Sequence, residues 1–152
     1  MVTIVEITGI SDEVMDAMAR LIPQLTANSP TPERSHIEEI INNPNSILFA
    51  ARSGDGTGRI IGFLTLAVYS IPTGIVGWIE DVVVDADARG LGAGEALTRA
   101  ALDRAQSMGA KSVSLTSRPS REAANRLYQR VGFSRPETNF YRYTFEKKLG
   151  VC

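Results

Sequence analysis

Twenty consecutive residues, Ile60 to Ile79, carry no charge, and no other feature narrows the fold as much. A run of that length is long enough for a transmembrane helix. Its content argues against one. Ser70-Ile-Pro-Thr-Gly74 stands in the middle, and Pro72 followed by Gly74 is turn chemistry. Ile60, Ile61, Phe63, Val68 and Tyr69 precede the turn, and Ile75, Val76, Trp78 and Ile79 follow it. β-Branched and aromatic flanks of this kind suit pleated, buried strands. The stretch therefore predicts two strands joined by a turn, and no membrane partner.

The remaining elements fall around this hairpin. Val2 to Thr8 alternates as a short strand. Ser11 can cap a helix whose first turn is acidic, with Val14, Met18, Leu21 and Ile22 at helical spacing until Pro23. Thr31-Pro-Glu repeats the start signal, with Pro32 at the first helical position of a second helix through Ile37, Ile40 and Ile41. Ile47 to Ala51 is a strand, Gly54 to Gly58 a hairpin connection, and Arg59–Tyr69 and Ile75–Val84 the long pair. After the turn Arg89–Gly94 a helix runs to Met108, with Leu97, Ala101 and Ala105 on one face and Gly109 as its stop. Lys111–Thr116 is a strand, a helix from about Ser120 ends at Val131, and Asn139–Phe145 is expected to close the sheet. The order β-α-α-β-β-β-α-β-α-β implies an α/β fold: a twisted mixed sheet with helices on both faces.

At 152 residues the chain is expected to form a single domain, 1–152, able to bury its own core. Sixteen Lys and Arg against 17 Asp and Glu leave a formal charge of −1, so no nucleic-acid partner is expected, because that affinity rests on phosphate neutralisation. One Cys, Cys152, excludes a disulfide framework, and one His, His36, leaves little for a metal site. No metal is expected. Met1 to Ile7 has no basic region before an apolar stretch, so a cytoplasmic location is expected.

The segment most suggestive of chemistry is Arg89-Gly-Leu-Gly-Ala-Gly94, between a buried strand and a helix. The first amides of a helix lack intrahelical partners and carry the positive end of its dipole. Gly90, Gly92 and Gly94 let that backbone approach an anion, and Arg89 adds a cation. A phosphate or pyrophosphate suits such a turn. The Walker pattern fails because Glu95 follows the last glycine, and the dinucleotide fingerprint fails in both registers. For glycines alone, a tight strand-to-helix turn explains as much.

Val84-x-x-x-x-Arg89-Gly-x-Gly-x-Gly94 after a buried strand resembles the acetyl-CoA motif of the GNAT family of N-acetyltransferases. Its usual form, Arg/Gln-x-x-Gly-x-Gly/Ala, is met by Arg89, Gly92 and Gly94. A second match, Ala123-Ala-Asn-Arg-Leu-Tyr-Gln-Arg-Val-Gly-Phe133, is similar to the family's closing helix. The element order is also that family's. Where many members carry Asn seven residues before the Tyr, this chain has Arg121, and its Asn is Asn125.

The resemblance implies acetyl-CoA as co-substrate and direct transfer within a ternary complex, which leaves Cys152 no role as nucleophile. It implies that Arg89, Gly90, Leu91, Gly92, Ala93 and Gly94 hold the pyrophosphate, and that the backbone of Val82, Val83 and Val84 pairs with the pantetheine arm. Asn125 either reaches the cofactor or satisfies local backbone. Tyr128 is the implied general acid for the leaving thiolate; the alternative is a core Tyr, since 124, 127, 128 and 131 share a helix face. Glu80 and Asp81 are the candidate bases, with an ordered water as the other option. They are adjacent acids in an apolar strand, where burial would demand a role or a partner. Alternation puts them on opposite faces unless a bulge intervenes. Thr116, Ser117 and Arg118 border the thioester in this reading, while Ser120 and Arg121 cap the helix. Acceptor selection is expected from the loop Thr26–Pro32, the turn Tyr69–Thr73, Trp78, and Tyr141 or Tyr143.

The expected activity is acetylation of a small-molecule primary amine. A protein or peptide acceptor is the alternative within the same chemistry, and a non-catalytic acetyl-CoA-binding sensor the alternative outside it. A homodimer is compatible with each.

Overall fold

The computed structural model describes residues 1–146, so Cys152 lies outside the described residues. The uncharged run forms two long strands, β3 (Ile60–Ile71) and β4 (Gly74–Val84), turning at Pro72 and Thr73. Before them come β1 (Val2–Glu6), α1 (Asp12–Leu25), α2 (Arg34–Asn42) and β2 (Ser46–Ser53). After them come α3 (Ala93–Ser107), β5 (Ser112–Ser114) and α4 (Glu122–Val131). The strands lie in the order β1-β2-β3-β4-β5, antiparallel up to β4, with β5 parallel to β4. The sheet is therefore mixed, as the element order implied. Among the described residues, no helix is long and apolar enough to cross a membrane.

Each face of the sheet has its own core. Ala93, Leu97, Ala101 and Ala105 of α3 pack on Ile47, Phe49, Ile61, Leu64, Leu66 and Ile79. Alanines at a four-residue spacing let α3 lie close to the strands. On the opposite face Val14, Ala17, Met18 and Leu21 of α1 and Ile37 of α2 cover Leu48, Ala50, Ile60, Phe63 and Val83.

Two helix boundaries differ from expectation. Helix α1 continues through Pro23 to Leu25. Gln24 explains the extra turn: its amide donates to the Arg20 carbonyl and to Asp85, and its Oε1 accepts from the Ala86 amide at 2.9 Å. Helix α2 begins at Arg34, because its first backbone bonds, from His36 and Ile37, accept at Glu33, leaving Thr31 and Pro32 outside.

The strand expected over Asn139–Phe145 does not form; residues 139–146 have no regular structure. A closing strand needs an edge of unpaired N–H and C=O groups, and β5 supplies only three residues. Tyr141 is accordingly 85 % exposed and Tyr143 84 %.

Candidate active site

Strand β4 has unequal neighbours. It pairs with β3 from Gly74 to Val84, but with β5 only through Val76, Gly77 and Trp78. From Ile79 onward one edge of β4 has no strand beside it among the described residues. The register against β3 also slips: Phe63 faces Val83 and Thr65 faces Glu80, so Asp81 and Val82 together oppose Leu64. This is a β-bulge, and Asp81 adopts φ 50° within it. Strict alternation therefore fails at the pair of acids. Glu80 and Asp81 are both exposed, so neither carries the burial cost that first drew attention to them.

Glu80 does face a cavity. Ala67 pairs with Trp78 and Thr65 with Glu80, which sets Ala67, Tyr69, Trp78 and Glu80 on the sheet face that α1 and α2 cover further along. An open cleft of about 370 Å³ lies there, walled by Tyr69 and Trp78, with Thr116 beside Glu80. Phe140 and Arg142 also line it. The expectation named Tyr141 or Tyr143 instead. Without regular structure over residues 139–146, the sequence alone does not say which side chains of that segment turn to the cleft. Asp81 and the loop Thr26–Pro32 are not among the lining residues.

Beyond the bulge, β4 ends at a charged knot. Asp85, 2 % exposed, accepts from Arg20 Nη1 at 2.6 Å, Arg59 Nη2 at 3.2 Å and the Asp87 amide at 3.1 Å. The Asp87 amide, then Gln24 and Arg20, hold its carboxyl below the usual range against the opposing effect of burial. The knot ties β4 to α1 and fixes where the glycine turn begins. Sequence reading passed over Asp85, because its partners lie 65 and 26 residues away.

In the turn, Gly90 has φ 86° and Gly92, the N-cap of α3, has φ 80°. L-residues rarely adopt this backbone. No atom lies within 4 Å of where a Cβ would stand at either. No side chain caps α3, so its first amides open onto that space, with the exposed Arg89 alongside. The cradle fits a pyrophosphate. Gly94 has another cause: a Cβ there would meet Leu127 Cδ1 at 3.3 Å and Val84 Cγ2 at 3.9 Å. The glycine turn, the end of β4 and α4 thus meet at one point. Glu95 adds a second link, accepting from Arg130 Nη2 at 3.0 Å and from Arg99 Nε at 3.2 Å.

Tyr128 packs edge-to-face on Phe133, with centroids 5.7 Å apart. Burial raises its phenol pKa, opposed by the positive charge of Arg121. Tyr128 is not among the residues lining the Glu80 cleft. Asn125 spends both amide protons on the Arg118 and Arg121 carbonyls, each at 2.9 Å. It thereby ties the Arg118 carbonyl to the first turn of α4, whose N-cap, Arg121, supplies no side-chain cap.

The Acetyltransferase (GNAT) family model matches residues 14–133. Mycothiol acetyltransferase of Renibacterium salmoninarum is 36 % identical over 83 residues, 53 % of this chain and 25 % of that protein. Its namesake from Paenarthrobacter aurescens is 34 % identical over 99 residues, 64 % of this chain and 30 % of that protein. The chain thus spans under a third of the length of these curated relatives. A Trypanosoma brucei acetyltransferase structure superposes with a TM-score of 0.75 at 26 % identity, covering 95 % of this chain and all (100 %) of that one. An aminoglycoside acetyltransferase from an uncultured soil metagenome reaches 0.80 at 20 % identity, covering 95 % and 97 %, and speaks for the fold. With the family model matched across both the glycine turn and the α4 motif, the chain belongs to the GNAT family of acetyltransferases.

Proposed function

We propose that the protein is an acetyl-CoA-dependent N-acetyltransferase that transfers the acetyl group directly to the primary amine of a small molecule. The observation that carries this reading is the division of β4 by its bulge. Glu80 faces the aromatic cleft before it, and a free strand edge leads into the glycine cradle after it. The relatives named for mycothiol and aminoglycoside acetylation point to small acceptors, and the cleft is at the small end of ligand pockets. A cytoplasmic location belongs to the same proposal.

Acetyl-CoA, when bound, supplies an activated thioester. Arg89 and the amides from Gly90 to Gly94 hold the pyrophosphate, and the free edge of Val82–Val84 aligns the pantetheine arm by main-chain hydrogen bonds. Glu80 takes the proton of the acceptor amine, directly or through a water. For an amine of pKa ~10.4 that deprotonation amounts to about 4–5 kcal/mol at pH 7. Tyr128 donates its proton to the departing thiolate. Its raised pKa keeps the phenol in the donor form. Asp81 and Asn125 are left in supporting roles, one shaping the bulge and the other tying the Arg118 carbonyl to α4.

The test is thiol release from acetyl-CoA across a panel of small amines and peptide N-termini, with calorimetry for acetyl-CoA binding. Turnover of small amines above the peptides is expected. Turnover confined to peptides would replace the acceptor class, and binding without turnover of anything would favour a sensor.

A further inference from the structure

Building on the acetyltransferase reading, we propose that the acceptor is a small amine that also carries an oxyanion, a carboxylate or phosphate, and that Arg142 selects it. The cleft contains one acid and one base, Glu80 and Arg142. They do not pair with each other, and neither joins the ion pairs formed among the described residues. Two opposite charges facing one small cavity without meeting leave room for a ligand with the complementary pair.

Arg142 is exposed at the cleft, where a ligand can reach it. Its guanidinium stacks over the Phe140 ring, 5.2 Å from the centroid. Stacking occupies a face of the planar group and leaves its N–H edge free for a two-point contact with an oxyanion. Glu80, lining the same cleft, draws the ammonium, while Tyr69 and Trp78 offer flat apolar surfaces to the body of the ligand. A diamine would set its second cation against Arg142. A neutral amine would leave Arg142 unmatched. An amine bearing an oxyanion satisfies both ends, and the modest cleft volume favours one of amino-acid size.

The experiment compares kcat/KM within matched pairs: phenylalanine against phenylalaninamide, and phosphoethanolamine against ethanolamine, with putrescine as the dication. The expected preference for the anionic member is roughly 10- to 100-fold, the value of one charge-assisted hydrogen-bonded contact. Which pair shows it separates carboxylate from phosphate. Arg142→Ala should collapse that ratio toward one, mainly through KM, and Arg142→Lys should restore part of it. Equal use of both members of each pair, preference for putrescine, or a ratio untouched by Arg142→Ala would overturn the proposal. If neutral amines are acetylated, the acetyltransferase reading survives that failure. If no amine and no peptide releases thiol, both fall together.

Discussion

Replacing Asp85 with Asn tests whether the buried knot at the end of β4 holds the glycine turn in place. The substitution keeps the shape and removes the charge. In the wild type one carboxylate oxygen accepts from Arg20 at 2.6 Å and Arg59 at 3.2 Å, and the other from the Asp87 amide at 3.1 Å. An Asn oxygen turned toward the arginines converts two charge-assisted bonds to neutral ones, at about 1 kcal/mol each. Its NH2 then opposes the Asp87 amide, forfeiting about 1 kcal/mol more. Arg20 and Arg59 keep 33 % and 58 % of their side chains in solvent, which rehydrates them and trims the sum. The expected loss is about 2–3 kcal/mol, or roughly 5–10 °C in Tm for a chain of this size. The loss should depend on pH. The folded carboxyl is lowered relative to the unfolded one, so its stabilisation is fully present above the unfolded value and disappears as pH falls through the folded value. Urea denaturation at pH 7 and at pH 3 should show the gap between wild type and variant narrowing sharply in acid. A gap under 0.5 kcal/mol at pH 7, or one equally wide at both pH values, would refute the reasoning (both limits on the order of the scatter among surface substitutions).

Tyr128→Phe should lower kcat by about 10²–10⁴-fold with KM for acetyl-CoA little changed, because a proton donor is lost while the ring stays on Phe133. Near-normal kcat with chemistry rate-limiting would reduce Tyr128 to packing. Since burial raises the phenol pKa above its ordinary value of 10.0, any alkaline fall in kcat caused by Tyr128 should lie above that pH. A fall near pH 8, per ~1 unit steps of the profile, that vanishes in the Phe variant would contradict this. Gly92→Asp should weaken acetyl-CoA binding severely in calorimetry, through a carboxylate facing the pyrophosphate and a side chain at φ 80°; an unchanged Kd with the fold intact would remove the cradle assignment. Leu97→Ala, at a fully buried position on the sheet-facing side of α3, should cost about 3 kcal/mol in urea denaturation. A loss below ~1 kcal/mol would mean that α3 is not packed as described.

What the sequence revealed depended on how local the cause was. The hairpin was legible because an uncharged run broken by Pro72 has few soluble solutions, and the turn at Gly90 and Gly92 because left-handed backbone selects glycine. The strand expected at residues 139–145 failed for the opposite reason. A strand needs a neighbouring edge, and β5, only three residues long, is set by contacts outside that segment. Asp85 stayed hidden because Arg20 and Arg59 reach it from α1 and from just before β3. Arg142 was missed because its place beside the cleft is set by an irregular segment with no periodicity to read.

The bulge at Asp81 and Val82 divides β4 into two stretches of opposite phase. Before it, Val76, Trp78 and Glu80 share the face of the cleft. Without the extra residue, the same phase would carry Val82 and Val84 to that face and Val83 to the other. The bulge reverses the phase. Val83 packs with Phe63 beneath α1, while Val82 and Val84 turn under α3. Val84 thereby stands 3.9 Å from the position a Gly94 Cβ would occupy, locking the strand end to the helix that carries the anion cradle. A bulge also increases local twist. This one falls just past Trp78, the last residue paired with β5, where β4 has lost its neighbour on that side. The edge left free by the short β5 is the one proposed for the pantetheine arm, and Glu80 precedes it on the cleft face. The phase of Val82 to Val84 therefore follows from a single inserted residue, which makes Asp81 an architectural residue even though it does not line the cleft.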